Sequence, residues 1–346
     1  MLSEKEKIQF SRHLNLPGFG ETQQQSLKDA HVLIIGLGGL GNPIAHYLAA
    51  AGIGKMTFMD DDRIELHNIH RQLLFGEDDC GKFKAETAAL KLKKLYPEVS
   101  IDFQLTRFIE SNPEAIPAGV SMIADCTDNF TARYAIDEKA ASLKIPVMFG
   151  AVHQMEGQVS LFHASRGTRY ADLYPLPPTS TLVGSCEEEG VLGPVAGIIG
   201  SLMATSIIQF ITTGNTRADG RLIRFDGHSC ETFSVEIKQP SRHAKKSDIH
   251  AIERDEIETI RIKEPSFLLI DVREQHEHDE YNLGGMCRPA GDILAWFEEL
   301  PFERTVLLYC NHGMQSHITA RVLNQKRPDL NIYHLKDGMK AKPTVE

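Results

Sequence analysis

The chain has 346 residues, 42% of them hydrophobic and 24% charged, and a formal net charge of −10. That length is long for one domain and suits two, with enough apolar content for a sizeable core. The acidic balance excludes a general nucleic-acid binder, though not a protein that holds small anions in local loops.

The first residues, MLSEKEKIQFSRH, are charged and contain no apolar signal core. Six cysteines are scattered without a C-x-x-C pair, which reads as a chain of the reducing cytoplasm and not as a disulfide scaffold. From residue 31 the pattern alternates. HVLIIG (31–36) and KMTFMD (55–60) read as buried strands around a helix that starts near Gly41. GKFKAETAALKLKKLYP (81–97) reads as an amphipathic helix with Ala85, Ala88, Ala89, Leu92 and Leu95 on one face. SIDFQLTRF (100–108) and SMIADCTD (121–128) follow as strands, then TARYAIDEKAASLK as a helix leading into IPVMFGAV. This βαβ alternation predicts an α/β fold with a doubly wound, mostly parallel sheet.

Beyond it, QVSLFHA, RLIRFDG and ETFSVEIK alternate in and out, which predicts an antiparallel extension with GHSC as a turn. The stretch 166–190 is rich in Pro, Ser and Thr and reads as a long functional loop. Val191 to Thr216 carries no charge and is long enough to cross a bilayer. Its Gly, Pro, Ser, Thr and Gln content, with no aromatic belt beside it, favours a helix buried between layers or at a subunit interface. QPSRHAKKSD (239–248) reads as a linker. A second βα series follows in FLLIDV, TVLLYC, a helix through Arg321, and IYHLK. The expected domains are 1–238 and 250–346, joined by 239–249.

GLGGLG (36–41) follows a strand and opens a helix, where glycines let backbone N–H groups approach a phosphate. Asp60 ends the next strand, where an acid reaches ribose hydroxyls. Alone, this is a dinucleotide fingerprint. The residues that follow suit a different ligand. Asn68, Arg71 and Gln72 come together in HNIHRQ, Lys84 opens a helix in GKFKAE, and Asp125 and Asp128 end a strand in DCTDN. Two cations and an acid on one rim suit a triphosphate with Mg²⁺, the cations offsetting phosphate charge and the acid holding the metal.

In order, IIGLGGLG, the DD-R-x-x-x-x-N-x-x-R-Q run, GKFKAE, CTDN, MEGQ (155–158) and Cys186 before EEEGVLGP resemble the ubiquitin-activating superfamily. Within it they resemble the prokaryotic adenylyltransferases of ubiquitin-like sulfur carriers, of molybdopterin-synthase and thiamine-pathway type. The resemblance spans about residues 5–238. It implies a Rossmann-like domain in which the carrier's Gly-Gly carboxylate attacks the α-phosphate of ATP, giving an acyl-adenylate and pyrophosphate. It also implies that Gly36, Gly38, Gly39 and Gly41 shape the nucleotide loop and that Asp60 binds ribose. Asn68, Arg71, Gln72 and Lys84 would bind phosphates, and Asp128 would bind Mg²⁺. Arg12, in FSRH, matches an arginine that enters the partner subunit's site, which implies a homodimer. Many relatives hold a structural zinc with two C-x-x-C pairs; Arg169 and Asp172, then Arg242 and Lys245, stand at those positions here, so no structural Zn²⁺ is expected. In some relatives a cysteine at the position of Cys186 forms a covalent link, while in others the position is not required.

Near the end, YCNHGMQS (309–316) sets Cys310 between a strand and a helix. C-x-x-G-x-x-S there aims backbone N–H groups and a helix N-terminus at one sulfur, favouring its anionic form, thiolate or persulfide. With FLLIDVRE, Gly284-Gly285 and DGM (337–339), residues 250–346 resemble a rhodanese domain. The family's basic residue after the cysteine is replaced by Asn311, which puts activity on small anions such as thiosulfate in question. Asp271 and Arg273 read as braces of the fold. The joint expectation is an adenylyltransferase whose rhodanese domain supplies persulfide sulfur for a thiocarboxylate, the sulfur coming from a cysteine desulfurase or another donor. Two alternatives stand beside it: an NAD-dependent oxidoreductase fused to a rhodanese, and a non-catalytic scaffold for the carrier.

Overall fold

The computed structural model describes residues 2–109, 112, 115–175, 190–237 and 249–339. They form two compact units, one from the described residues up to Arg169 with 190–237, the other from 170–175 with 249–339. Residues 238–248, which hold the expected end of the first domain and all of the expected linker but its last residue, lie outside the described residues, as do Cys186, Arg242 and Lys245; the second domain's expected start, His250, opens a strand.

The first unit is built on an eight-stranded sheet in the order β3-β2-β1-β4-β5-β6-β7-β8. β1 (His31–Ile35), β2 (Lys55–Met59), β3 (Ser100–Gln104), β4 (Met122–Asp125) and β5 (Val147–His153) run parallel. β6 (Glu156–Phe162), β7 (Arg221–Asp226) and β8 (Glu231–Glu236) add the antiparallel extension. All five residues of β1 are buried, as a central parallel strand covered on both faces requires. α1 (Glu4–Gln9) and α2 (Glu21–Asp29) precede the sheet, and α3 (Gly41–Ala50), α4 (Lys84–Leu95) and α5 (Phe130–Leu143) are its crossovers.

α4 buries Ala85, Ala88, Ala89 and Leu92 as the spacing required. Leu95 departs from the expectation: although in phase with Ala88 and Leu92, it is the last helical residue, at the end where the chain leaves the helix, and is 58% exposed. β3 is also shorter than the run 100–108, ending at Gln104; Arg107, beyond it, pairs with acids at the rim.

α6 (Gly193–Thr213) is the apolar segment. Among the described residues it is the one helix long and apolar enough to cross a membrane, and it packs against β5, β6, α2 and α3. Glycines permit that approach. A Cβ on Gly150 would lie 2.1 Å from Met203 Sδ, one on Gly157 2.2 Å from Ile199, and one on Gly200 2.3 Å from Pro43.

The second unit holds a five-stranded parallel sheet in the order β11-β10-β12-β13-β9. The strands are β9 (His250–Ile252), β10 (Leu268–Asp271), β11 (Met286–Cys287), β12 (Thr305–Tyr309) and β13 (Asn331–Leu335). α7 (Glu256–Lys263) and α8 (Met314–Lys326) flank it, and Trp296, Leu308 and Leu323 join an apolar cluster of this unit.

Candidate active sites

In the first unit the sheet's direction of growth reverses at β1, with β2 on one side and β4 on the other. A crevice opens at the carboxyl ends of such strands. The glycine loop lies there. Gly36 has φ +91°, and a Cβ on it would lie 2.8 Å from the Cys126 carbonyl oxygen; one on Gly41 would lie 2.0 Å from Gly36 O. These two glycines close the turn. Gly38 differs: its nearest neighbour would be Gln72 Nε2 at 3.9 Å, which leaves its face open. Gly39 would meet Ala196 Cβ at 3.2 Å and the Arg71 side chain at 3.7 Å. The N-terminus of α3 that follows has no side-chain cap.

Gln72 is 2% exposed, yet its Oε1 has no hydrogen-bond partner among the described residues. A buried unpaired carbonyl costs about 1–3 kcal/mol, so an orphan beside an open glycine fits a loop built to receive a polar ligand. Arg71 donates to His67 O and meets His70 Nε2, both at 2.8 Å, and has no acidic partner among the described residues. Asn68 is buried, and its Oδ1 accepts from Glu65 N at 3.0 Å. Its side-chain oxygen thus braces its own turn.

Asp60 accepts from Leu37 N at 2.6 Å and from Asp62 N at 2.8 Å. Burial pushes its carboxyl above the usual range against the pull of those N–H groups and of Lys84. The side chain expected to meet ribose therefore also pins the glycine loop. Lys84, the first residue of α4, is buried and donates from Nζ to Asp62 Oδ2 at 3.0 Å.

Asp62 lies in the DD-R run but was given no role by the sequence reading, and Arg107 escaped it. Arg107 Nε lies 2.7 Å from Asp61 Oδ1 and its terminal nitrogen 2.8 Å from Asp62 Oδ1. Burial would raise the Asp62 carboxyl, but Lys84 and then Arg107 hold it below its usual value. Arg107 is 45 residues from Asp62 in sequence, and no motif signals the contact.

Asp128 is exposed beyond β4, in the loop that faces Gly36 through Cys126. Asp125, behind it, is buried and accepts from Thr127 N at 3.0 Å and Thr127 Oγ1 at 2.7 Å. Arg133, also unforeseen, donates to Thr127 O at 2.7 Å and stacks 5.2 Å over Phe130 and Phe149, bracing this loop.

Arg12 is not brought to the rim. It is exposed on the one-turn helix Ser11–Leu14. Phe10, just before it, abuts Gly52, and His13 Nδ1 lies 3.0 Å from Gln24 Oε1, whose Nε2 donates to Ala51 O. Ala51 and Gly52 precede β2, so this helix is seated where β1 and β2 begin, at the edge opposite the glycine loop.

In the second unit Cys310 follows β12 and is 2% exposed. Gly313 N lies 3.2 Å and Ser316 N 3.4 Å from its Sγ, with Ser316 Oγ at 3.6 Å. Gly313 has φ +84°, and a Cβ on it would lie 1.7 Å from Lys336 O, so only glycine closes the loop. Gly338, of the DGM run, packs on Asn311 and His312, and Met339 N donates to Cys310 O at 2.9 Å. Asn311 bridges Arg273 at 3.1 Å and Glu277 at 2.8 Å. Arg273 in turn closes on buried Asp271, 2.6 Å away, so this pair does brace the loop.

A family model described as the ThiF family matches residues 10–246. The chain belongs to the ThiF family. The relatives of this ThiF-family chain extend over both units. It is 32% identical, over 98% of its length and 83% of the relative, to a Drosophila sechellia protein named adenylyltransferase and sulfurtransferase MOCS3. It is 33% identical, over 98% of its length and 93% of the relative, to a Mycobacterium tuberculosis protein named probable adenylyltransferase/sulfurtransferase MoeZ. In structure it is similar to E. coli MccB solved with ATP, with a TM-score of 0.61 and 22% identity, over 70% of this chain and 73% of that one. That likeness bears on the ThiF-family fold alone.

Proposed function

We propose that this chain adenylates the C-terminal Gly-Gly carboxylate of a ubiquitin-like sulfur carrier and then supplies the sulfur that turns it into a thiocarboxylate. The observation that carries the reading is the orphan Gln72 Oε1 at an open glycine loop, on a rim shared with Arg71 and Lys84. The two activities for which the long relatives are named support it, and ThiF-family membership sets aside the oxidoreductase alternative.

ATP is the substrate of the first unit. The glycine loop and the uncapped start of α3 receive its phosphates, and Asp60 faces the ribose. Asn68 and Gln72 line the phosphate path. A carrier carboxylate oxygen attacks the α-phosphorus, the bond to pyrophosphate breaks, and Arg71 and Lys84 offset the charge that develops on the leaving group. Asp128, exposed and without an ion pair among the described residues, is the proposed Mg²⁺ ligand; the ion would neutralise phosphate charge.

Cys310 carries a persulfide received from a cysteine desulfurase or another sulfane donor. Its terminal sulfur displaces AMP from the acyl carbon, forming an acyl disulfide. Attack by a thiol on the Cys310 sulfur of that bond releases the thiocarboxylate and leaves a mixed disulfide, which a second small thiol reduces; Cys186 is the candidate in this chain for the attacking thiol. The carrier belongs to a molybdopterin or thiamine type of pathway, and the protein works as a cytoplasmic homodimer. We further propose that no structural zinc is bound. Arg169, at one expected ligand position, instead pairs with buried Asp137 at 2.8 Å.

Cys310→Ala tests the assignment. Carrier-dependent pyrophosphate exchange should stay intact, which a mere scaffold would lack altogether. Thiocarboxylate formation from a desulfurase should stop, and free sulfide should bypass the block. Mass spectrometry of the carrier's C-terminus reads both. Thiocarboxylate formed by the variant at the normal rate from the desulfurase would remove Cys310 from the pathway.

A further inference from the structure

The rim holds one carboxylate with two cationic partners. Asp62 Oδ2 accepts from Lys84 Nζ at 3.0 Å and Asp62 Oδ1 from Arg107 at 2.8 Å. Asp62 also fixes its neighbours: its carbonyl accepts from Lys84 N at 3.0 Å, and its N–H donates to Asp60, which holds Leu37 of the glycine loop. Arg107 reaches Asp61 as well, and its carbonyl is tied to Asn112 Nδ2 at 2.8 Å. Asp62 therefore joins the phosphate-facing lysine, the glycine loop and an arginine past β3.

We infer that Arg107 is a positioning residue for nucleotide binding: by sharing Asp62, it lets Lys84 leave that carboxylate for a phosphate. The inference rests on the adenylation reading of the site. Lys84 is buried but Asp62 is about half exposed, so when Lys84 moves water compensates only part of the charge that Asp62 regains. With Arg107 in place the carboxylate keeps a cation whose planar fork grips two acids at once. Repulsion between the two cations also loosens the hold of Asp62 on Lys84. Without Arg107, Asp62 and Lys84 form a closed pair that ATP must break.

The test is ATP affinity by calorimetry, with steady-state kinetics beside it. Arg107→Ala should weaken ATP binding about two- to fivefold, the range of a partly exposed ion pair. KM for ATP should rise without a matching fall in kcat, and Arg107→Lys should recover part of the loss. The deciding arm is the Asp62→Asn background. There Lys84 has no carboxylate to leave, and Arg107→Ala should have no further effect. Equal weakening in that background would mean that Arg107 attracts ATP directly, and would overturn the inference. So would unchanged affinity in the single variant with its fold intact by circular dichroism. A wild-type protein that binds no ATP would overturn the adenylation reading itself, and this inference with it.

Discussion

Asp128 is the residue whose loss separates chemistry from folding most cleanly. It is exposed and pairs with no described cation, so Asp128→Ala should leave thermal stability within about 0.5 kcal/mol of wild type. If it holds the metal over the phosphates, carrier-dependent pyrophosphate exchange should fall on the order of 100-fold or more. Exchange near the wild-type rate, with the melt unchanged, would take Asp128 out of the site. Residues of this kind were legible because the motif names them at the end of a strand. Gln72 was legible as a type but not as a buried orphan, since burial depends on packing beside Gly38. The contact of Asp62 with Arg107 was not legible: the motif contains Asp62 without giving it a role, and Arg107 reads as surface charge until the chain past β3 brings the two together.

Among the elements, the strands stood out because fully buried parallel strands leave unbroken apolar runs, as in β1 and β12. The helices before β1 did not, because α1 is six residues long and buries none of them. The turn Glu77–Asp79 was equally silent, although it clamps α4. Asp79 accepts from Gly76 N at 3.0 Å and from Lys82 at 3.1 Å, and it also takes a short contact from Lys91 on α4. Burial alone would raise its carboxyl; Lys91, Gly76 N and Lys82 outweigh that and hold it at about 2. A carboxyl lowered on folding stabilises the fold above its unfolded value, about 4, and loses that contribution as pH falls through its folded value. Asp79→Asn should therefore cost about 1–2 kcal/mol at neutral pH. Urea melts should show the gap to wild type closing between pH of about 4 and 2. A gap that stays constant through that range would mean the ion pairs contribute nothing.

At the scale of the whole molecule, two features of the first unit bear on the proposed homodimer. α6 buries Val195, Ile199, Met203 and Ile207 inward, yet Ile198 stays exposed on its outer side. With Pro43, Tyr47, Leu73 and Leu202 it lines a shallow apolar depression, and Leu73 is 84% exposed. An apolar surface of this kind on a chain with ample polar residues suits a subunit contact. The second feature is Arg12, seated at the edge of the sheet opposite its own glycine loop. If it serves catalysis, a second copy is the chain that receives it. Arg12→Ala and Asp128→Ala should each be nearly inactive alone, because every site lacks one group. Mixed and allowed to exchange subunits, they form heterodimers in which one site lacks both groups and the other lacks neither. With random exchange half the molecules are heterodimers with one intact site of two, so exchange activity should return to about a quarter of wild type. Sedimentation of each variant as a dimer is the control. A monomer, or no recovery once subunit exchange has been demonstrated, would show that Arg12 does not act across a dimer.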